Sequence, residues 1–168
     1  MNIRKAILED LPAMMEIVSQ AQQSLKLLGV DQWQNGYPTP EIITKDIRHG
    51  YAYVLVDEKQ VIAMLSVIYN NEPTYDRIYE GEWLSRGEFV VVHRMAVAGQ
   101  SKKKGIASLL LKEVEQMAIE KHIPSFKVDT HENNRPMRHT LEKNGFTYCG
   151  RIFLADGNPR VAYEKMLG

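Results

Sequence analysis

The sequence lacks several features that would tie a chain to particular functions. Cys149 is the only cysteine among 168 residues, which excludes an internal disulfide. The 21 basic residues balance the 21 acidic residues, so no overall field attracts nucleic acid or an anionic membrane. No apolar run at the N-terminus resembles a signal peptide or a membrane span. We therefore expect a cytoplasmic protein without nucleic-acid or membrane partners.

Metal-binding patterns are also missing. The five histidines are His49, His93, His122, His131 and His139. No two of them lie one helical turn apart with a glutamate beside them, which is the spacing typical of a zinc site. We expect no metal.

Length and composition favour one folded core. Of the 168 residues, 44% are hydrophobic, which provides enough apolar surface for a single core. No repeat, low-complexity tract or linker interrupts the chain. We expect one domain over residues 1–168.

Hydrophobic periodicity predicts a mixed α/β fold. Helical spacing of apolar residues favours helices near residues 11–25, 39–49, 105–118 and 135–144. Strand patterns occur at residues 2–7, 51–56, 61–69, 89–97, 124–130, 146–153 and 160–166. Asp10 is expected to cap the first helix, and Gly50 and Gly145 to end the second and the fourth. The order of elements indicates a mixed sheet with helices packed on it.

The most informative stretch is HRMAVAGQSKKKGIAS at residues 93–108, where a strand leads through a basic turn into a helix. The helix begins near Gly105, and the first turn of a helix has amides without intrahelical partners and a partial positive charge. Gly105 has no Cβ to block an anion, and Lys102, Lys103 and Lys104 add positive charge. The pattern favours phosphate binding over the alternative, a solvated lysine run beside a helix cap.

The motif KKKGIA at residues 102–107 resembles the acetyl-CoA signature of the GNAT superfamily, Arg/Gln-x-x-Gly-x-Gly/Ala. The segments HENN at 131–134 and LEKNGFTYCG at 141–150 resemble the strand end, helix and GlyPhe strand start that follow in that family. The likeness covers essentially the whole chain. Lys102 stands where Arg or Gln is usual, and Lys103 stands where a glycine is common. Both lysines keep or add positive charge.

The resemblance implies a fold, an activity and a cofactor. The fold is a mixed, mostly antiparallel sheet of about seven strands with about four helices on both faces. Acetyl-CoA, the acetyl donor of this acyltransferase family, lies where two parallel strands splay, here those ending near Val97 and Thr130. The residues implied for the cofactor are Met95, Ala96, Val97, Lys102, Lys103, Lys104, Gly105, Ile106, Ala107, Ser108 and Asn134. An ordinary helix cap is the competing interpretation of Asn134.

Acetyl transfer to an amine requires a base, because an alkyl ammonium has a pKa of roughly 10.4 and must first lose a proton. His93 is the candidate, since strand alternation puts it on the face of Met95 and Val97 and imidazole changes charge near neutral pH. The competing interpretation is a structural, hydrogen-bonded histidine. Glu88, at the start of the strand, is the alternative base.

The leaving thiolate can take its proton from a general acid, which in many members of the family is a tyrosine on the helix before the GlyPhe pair. Leu141 stands where that tyrosine commonly lies, so Tyr148, solvent or no dedicated acid are the remaining options. A covalent intermediate on Cys149 is disfavoured, because no activating histidine is adjacent in sequence.

Three aromatic residues are candidates for the acceptor site. Trp33 and Tyr37 lie between the first two helices, where the resembling family often forms its acceptor wall, although hydrophobic anchoring of that connection would also explain them. Trp83 belongs to the long connection at residues 70–87, which could shape an acceptor site or an oligomer contact. The family resemblance also allows a homodimer.

These observations favour a GNAT-like N-acetyltransferase that moves an acetyl group directly to a primary amine. A polyamine, an amino acid, an antibiotic amine and a protein N-terminus all fit as acceptor. Because Leu141 replaces the usual acid, the alternative is an acyl-CoA-binding regulatory protein with little or no turnover. A third reading is an interaction domain whose lysine turn binds sulfate or nucleic-acid phosphate.

Overall fold

The computed structural model of the chain describes residues 1–102 and 104–168. Four α-helices occur within them: α1 (Leu11–Leu27), α2 (Pro40–Arg48), α3 (Ile106–Glu120) and α4 (Arg135–Lys143). The strands are β1 (Asn2–Lys5), β2 (Ala52–Asp57), β3 (Gln60–Tyr69), β4 (Val90–Val97), β5 (Ser125–Thr130), β6 (Thr147–Phe153) and β7 (Pro159–Met166). Each helix and strand predicted from the sequence is confirmed, with boundaries that move by at most two residues. No helix of the described chain combines the length and the apolar character needed to cross a membrane.

The strands form one seven-stranded sheet in the order β1-β2-β3-β4-β5-β7-β6. The pairs β1/β2, β2/β3, β5/β7 and β6/β7 are antiparallel. β4 and β5 run parallel, with Val90 opposite Phe126 and Val91 opposite Lys127. Parallel neighbours need a crossover connection, which α3 supplies. The mixed, mostly antiparallel sheet expected from the sequence is therefore confirmed.

The chain forms two compact units, each made of two segments. The first contains Met1–Val67 and Val92–Leu110, and the second contains Ile68–Val91 and Leu111–Gly168. The single domain over residues 1–168 stays a prediction.

The core of the first unit lies between its helices and strands. Met14, Ile17 and Val18 follow the three-and-four spacing that places side chains on one face of α1. The buried cluster consists of Ala6, Met14, Ile17, Val18, Ile43, Ala52, Val54, Met64, Ala96 and Ala98. Burying each of the larger side chains stabilises the fold by roughly 1.5–3 kcal/mol.

The helix ends of the first unit follow local rules, with one exception. Thr39 caps α2, since its Oγ1 accepts a hydrogen bond from Ile42 N at 3.2 Å. Asp10 occupies the N-cap position of α1, but its side chain does not cap the helix. A short 3₁₀ turn at Leu8–Asp10 precedes α1, and the Asp10 carboxylate instead accepts Ile7 N at 2.8 Å and the Arg4 guanidinium at 2.7 and 3.0 Å. The Arg4 hydrogen bond is the main reason why the pKa of Asp10 is lowered.

The hairpin between β2 and β3 turns at Glu58 and Lys59, whose φ angles are 47° and 69°. Positive φ at both central residues is the signature of a type I′ turn, which matches the twist of the flanking strands. The predicted hairpin is therefore confirmed.

The core of the second unit includes the connection between β3 and β4. Tyr75, Val91, Ile152 and Ala162 form its buried cluster. The segment around Tyr79 runs beside β6, where Tyr79 and Arg151 exchange two backbone hydrogen bonds of 2.8 Å. Gly81 lies so close that a Cβ there would stand 1.9 Å from the Cys149 carbonyl oxygen, so only glycine fits this approach.

Candidate active site

The turn between β4 and α3 lies in the first unit and contains the predicted phosphate site. A 3₁₀ turn at Gly99–Ser101 follows β4, and α3 begins at Ile106. Gly105 has φ +73°, and apart from its two neighbours in the chain no atom of the described residues lies within 4 Å of the position that a Cβ would occupy. Leu109 N donates to Gly105 O at 3.0 Å, and residues 106–108 form the first turn of α3. This arrangement suits an anion. Lys103 lies outside the described residues.

Helix α1 holds this turn in place. Gly99 N donates to Gln20 Oε1 at 2.7 Å, and Lys102 Nζ donates to Ser24 Oγ at 2.5 Å. Lys104 is exposed. The turn thus combines amides with ammonium groups, and both kinds of donor can bind pyrophosphate.

The end of β4 does not follow the regular alternation that the sequence suggests. Arg94 has φ +53°, a left-handed conformation that is uncommon for a residue with a side chain. His93, Arg94, Met95 and Val97 are all half-buried, whereas Ala96 is buried. Because the alternation of side chains is interrupted at Arg94, it does not establish that His93 lies on the same face of β4 as Met95 and Val97. The role of His93 as base stays a prediction.

Arg94 also forms a polar cluster that the sequence analysis did not identify. Its Nε and Nη2 donate to Asp46 Oδ2 and Oδ1 at 2.5 and 2.9 Å. Asp46 is buried and accepts a further hydrogen bond from Ser66 Oγ at 2.6 Å. The third nitrogen, Nη1, donates to the Tyr37 hydroxyl at 2.9 Å. Arg94 has a raised pKa despite its burial, because Asp46 and Tyr37 favour the charged form.

The predicted acceptor residues Trp33 and Tyr37 are in contact with each other. Their ring centroids lie 6.4 Å apart in an edge-to-face arrangement with an interplanar angle of 67°. Gln22 Nε2 donates to Tyr37 O at 2.9 Å, which attaches the connection to α1. Tyr37 keeps 39% of its surface exposed, so the pair provides an accessible aromatic wall in the first unit.

In the second unit, Trp83 is part of a packed aromatic group. Its Nε1 donates to Tyr75 O at 2.9 Å, and the two rings lie 5.1 Å apart. The buried Lys127 ammonium lies 4.5 Å from the centroid of Trp83 and 4.7 Å from that of Phe89. Burial lowers the pKa of Lys127, an effect that the charge of Glu164 partly offsets. Trp83 thus has a structural role here, and acceptor binding by it stays a prediction.

Glu164 anchors the segment that follows Trp83. This carboxylate is fully buried and accepts hydrogen bonds from Leu84 N at 2.6 Å, Ser85 N at 3.3 Å and Ser125 Oγ at 2.6 Å. The Ser85 hydroxyl donates to it as well. The middle of the long connection is therefore fixed to β5 and β7.

The other predicted residues of the second unit lie on α4 and β6. Asn134 caps α4, because its Oδ1 accepts Met137 N at 3.3 Å. Leu141 is fully buried. Tyr148 is 43% exposed and packs edge-to-face on Tyr163, with ring centroids 5.8 Å apart.

Comparison with known proteins identifies the family. The model of the acetyltransferase (GNAT) family matches residues 13–146. The chain belongs to the GNAT acetyltransferase family. It is accordingly an acyltransferase, from a family that acts on amine acceptors. No curated protein sequence matches it significantly.

Solved structures agree with membership of the GNAT family. A GNAT acetyltransferase from Streptococcus agalactiae 2603 is 35% identical, with a TM-score of 0.91 over 99% of this chain and 95% of that one. A GNAT acetyltransferase from Listeria monocytogenes 4b F2365 is 18% identical, with a TM-score of 0.75 over 99% and 94% of the two chains. The PaiA N-acetyltransferase from Thermoplasma acidophilum, in complex with coenzyme A, is 17% identical, with a TM-score of 0.68 over 98% of each. At such low identity the last two support the fold alone.

Two signals for the missed residues of this GNAT protein are visible in retrospect. Asp46 stands three residues after Ile43 on the apolar side of α2, and Arg94, beside His93, interrupts a strand whose other residues are apolar. Two opposite charges at buried positions predict an ion pair. Their separation of 48 residues gives no local clue to the pairing.

The one cysteine of this GNAT protein is unsuited to nucleophilic chemistry. Cys149 is buried, and its Sγ approaches Thr147 O at 3.3 Å. Burial is the main reason why its pKa is raised, so the reactive thiolate is disfavoured. The geometry thus supports the sequence argument against a covalent intermediate.

Proposed function

We propose that this GNAT enzyme transfers an acetyl group from acetyl-CoA directly to a primary amine. The observation that carries the proposal is the open, positively charged turn between β4 and α3. It presents helix-terminal amides, an unobstructed Gly105 and the lysines at 102 and 104. Pyrophosphate is the part of acetyl-CoA that such a group of donors fits.

We expect the remaining contacts with the acetyl donor to follow the family pattern. Main-chain groups of Met95, Ala96 and Val97 would pair with the pantetheine arm and bind the thioester. Asn134 would contact the arm, in addition to capping α4 through Met137 N. The amides of residues 104–108 would surround the pyrophosphate.

The chemistry needs a base and a stabilised oxyanion. His93 would take the proton that the ammonium must lose. The amine nitrogen then bonds to the acetyl carbonyl carbon, and a strand amide near Met95–Val97 would stabilise the oxygen that becomes negative. One preorganised donor of this kind contributes roughly 3 kcal/mol to transition-state stabilisation. The carbon–sulfur bond breaks last, the nitrogen gives up its second proton to leave a neutral amide, and the thiolate is protonated.

The proton for the thiolate would come from Tyr148 or from solvent. Tyr148 is 43% exposed and keeps its ring against Tyr163. Leu141 is fully buried and has no proton to give. Solvent protonation would suffice, because a thiolate is a good leaving group at neutral pH.

The acceptor amine would bind beside Trp33 and Tyr37, whose aromatic wall is accessible. Trp83 is the second candidate surface, in the second unit. A polyamine, an amino acid, an antibiotic amine and a protein N-terminus remain in the acceptor class.

A second candidate function follows from Leu141. A buried leucine in place of a general acid would suit a regulatory protein that binds acyl-CoA with little or no turnover. Turnover distinguishes it from the enzyme.

The test is thiol release from acetyl-CoA across a panel of small amines and short peptides, beside calorimetric titration of CoA. Amine-dependent release is expected and would identify the acceptor class. Tight CoA binding without release from any amine would favour the regulatory protein. Failure to bind CoA would refute both functions.

A further inference from the structure

Arg94 adopts a backbone conformation that needs support from its surroundings. Its φ of +53° lies in the left-handed region, which is unfavourable for a residue with a Cβ and is frequent at functional sites. It immediately precedes Met95, at the end of β4 where the acetyl donor is proposed to bind. The orientation of the following peptide groups therefore depends on what holds Arg94.

The support is a buried carboxylate. Asp46 binds the guanidinium through both oxygens, at 2.5 and 2.9 Å, and Ser66 Oγ supplies a third hydrogen bond at 2.6 Å. Side-chain exposure is 13% for Arg94 and 7% for Asp46. A buried bidentate pair has a defined geometry, and removing either partner would leave the other charge buried and unpaired.

The same guanidinium extends to the acceptor wall, which we define as Trp33 and Tyr37. Arg94 Nη1 donates to the Tyr37 hydroxyl at 2.9 Å, and the Tyr37 ring packs on Trp33. Gln22 holds the backbone of Tyr37, so the hydroxyl cannot leave Arg94 without a change at the ring or the connection. One side chain thus connects β4 to the acceptor wall.

We propose that Arg94 is a positioning residue that couples the acceptor wall to the end of β4. The inference rests on the proposed function, since it assumes that acetyl-CoA binds at the end of β4. Asp46 and Tyr37 hold the two sides of the guanidinium. A change that the bound donor imposes on the backbone of Arg94 would therefore be transmitted through this side chain to Tyr37, which would link the two binding events.

The first test is Tyr37→Phe, which removes the hydroxyl and keeps the ring beside Trp33. We expect the KM for the acceptor amine to rise at least about tenfold, as loss of one charge-assisted hydrogen bond implies. The Kd of CoA should stay within about twofold. Tyr53→Phe removes a phenol hydroxyl from β2 of the same unit and should change neither constant.

The second test needs no turnover. Trp33 and Trp83 are the two tryptophans, so a Trp83→Phe background leaves Trp33 as the reporter. CoA titration should change the Trp33 emission, and Tyr37→Phe or Arg94→Lys in that background should remove most of the change. Lysine retains the charge but cannot bind Asp46 bidentately while reaching Tyr37.

The outcomes separate the two proposals. An unchanged KM in Tyr37→Phe, or the same Trp33 response with and without the hydroxyl, would overturn the coupling while leaving the transferase intact. CoA binding without any Trp33 response would do the same. Absence of turnover in the wild-type protein, with a hydroxyl-dependent Trp33 response, would support the coupling and count against the transferase. A protein that does not bind CoA would refute both.

Discussion

Glu164→Gln should destabilise the protein more than its conservative chemistry suggests. The substitution keeps the shape of a fully buried side chain but removes its charge. In the native protein this carboxylate accepts hydrogen bonds from two backbone amides and from the hydroxyls of Ser85 and Ser125. A glutamine has one acceptor oxygen, and its NH₂ group faces donors that need an acceptor.

The magnitude follows from these contacts. A hydrogen bond to a charged group contributes about 1.5–3 kcal/mol, and an unsatisfied buried donor costs about 1–3 kcal/mol. The two hydroxyls can rotate to accept from the new NH₂ group, whereas a backbone amide cannot. Lys127, buried nearby, also loses the negative charge that raises its pKa. We expect Glu164→Gln to lower the free energy of unfolding by about 2–4 kcal/mol.

The assay is guanidinium chloride unfolding at pH 7, followed by tryptophan emission and by far-UV circular dichroism. Trp83 precedes Leu84, whose amide bonds to Glu164, so its emission reports on this segment. The matched control is Glu115→Gln in the same unit, which removes a 2.8 Å ion pair with Lys165 that is about one quarter exposed. It should cost less than about 1 kcal/mol. A loss below about 1 kcal/mol for Glu164→Gln as well would refute the reasoning.

Three further predictions concern the turn, the base and acid stability. Gly105→Val should weaken CoA binding at least about tenfold by calorimetry, because the Cβ of the valine enters the proposed phosphate site. The control is Gly157→Val, which has an equally open position and a φ of +87°, so it carries similar backbone strain and should bind CoA normally. His93→Ala should depress the rate at neutral pH with CoA affinity nearly intact. The control His139→Ala should leave the pH–rate profile unchanged, and the same result for His93→Ala would remove His93 from the base role. Asp10→Asn should lower the melting temperature at pH 7. Since the pKa of Asp10 is lowered on folding, mainly by the Arg4 hydrogen bond, its stabilisation is present above about pH 4 and decreases as pH falls through the folded value, so a difference that did not shrink with falling pH would contradict this account.

Most of the fold is predictable because its signals are local. Pro40 after a capping threonine, the hairpin turn at Glu58 and Lys59, and the three-and-four spacing in α1 each depend on a few adjacent residues. The exception is instructive. Asp10 stands where a capping residue is expected, yet its carboxylate accepts hydrogen bonds from Arg4 and from Ile7 N, because a 3₁₀ turn precedes the helix.

The site is less predictable because its polar groups come from distant parts of the chain. The strand–turn–helix pattern around Gly105 is contiguous, and the structure has the expected turn there. The Arg94 ion pair joins residues 48 apart, and the Glu164 contact with Leu84 spans 80. The positive φ of Arg94 is invisible in sequence, since arginine has no preference for that conformation.

The strand at one border of the sheet, β6, has a protected edge. A border strand normally presents unpaired amides and carbonyls that can recruit a strand from another molecule. Here the backbone N–H and C=O of Arg151 are hydrogen-bonded to Tyr79, and the backbone of Gly81 lies against the Cys149 carbonyl oxygen. A side chain at position 81 would push this cover away, and the uncovered edge would favour sheet extension between molecules. Glycine at position 81 therefore lets the connection between β3 and β4 lie against this edge of the sheet.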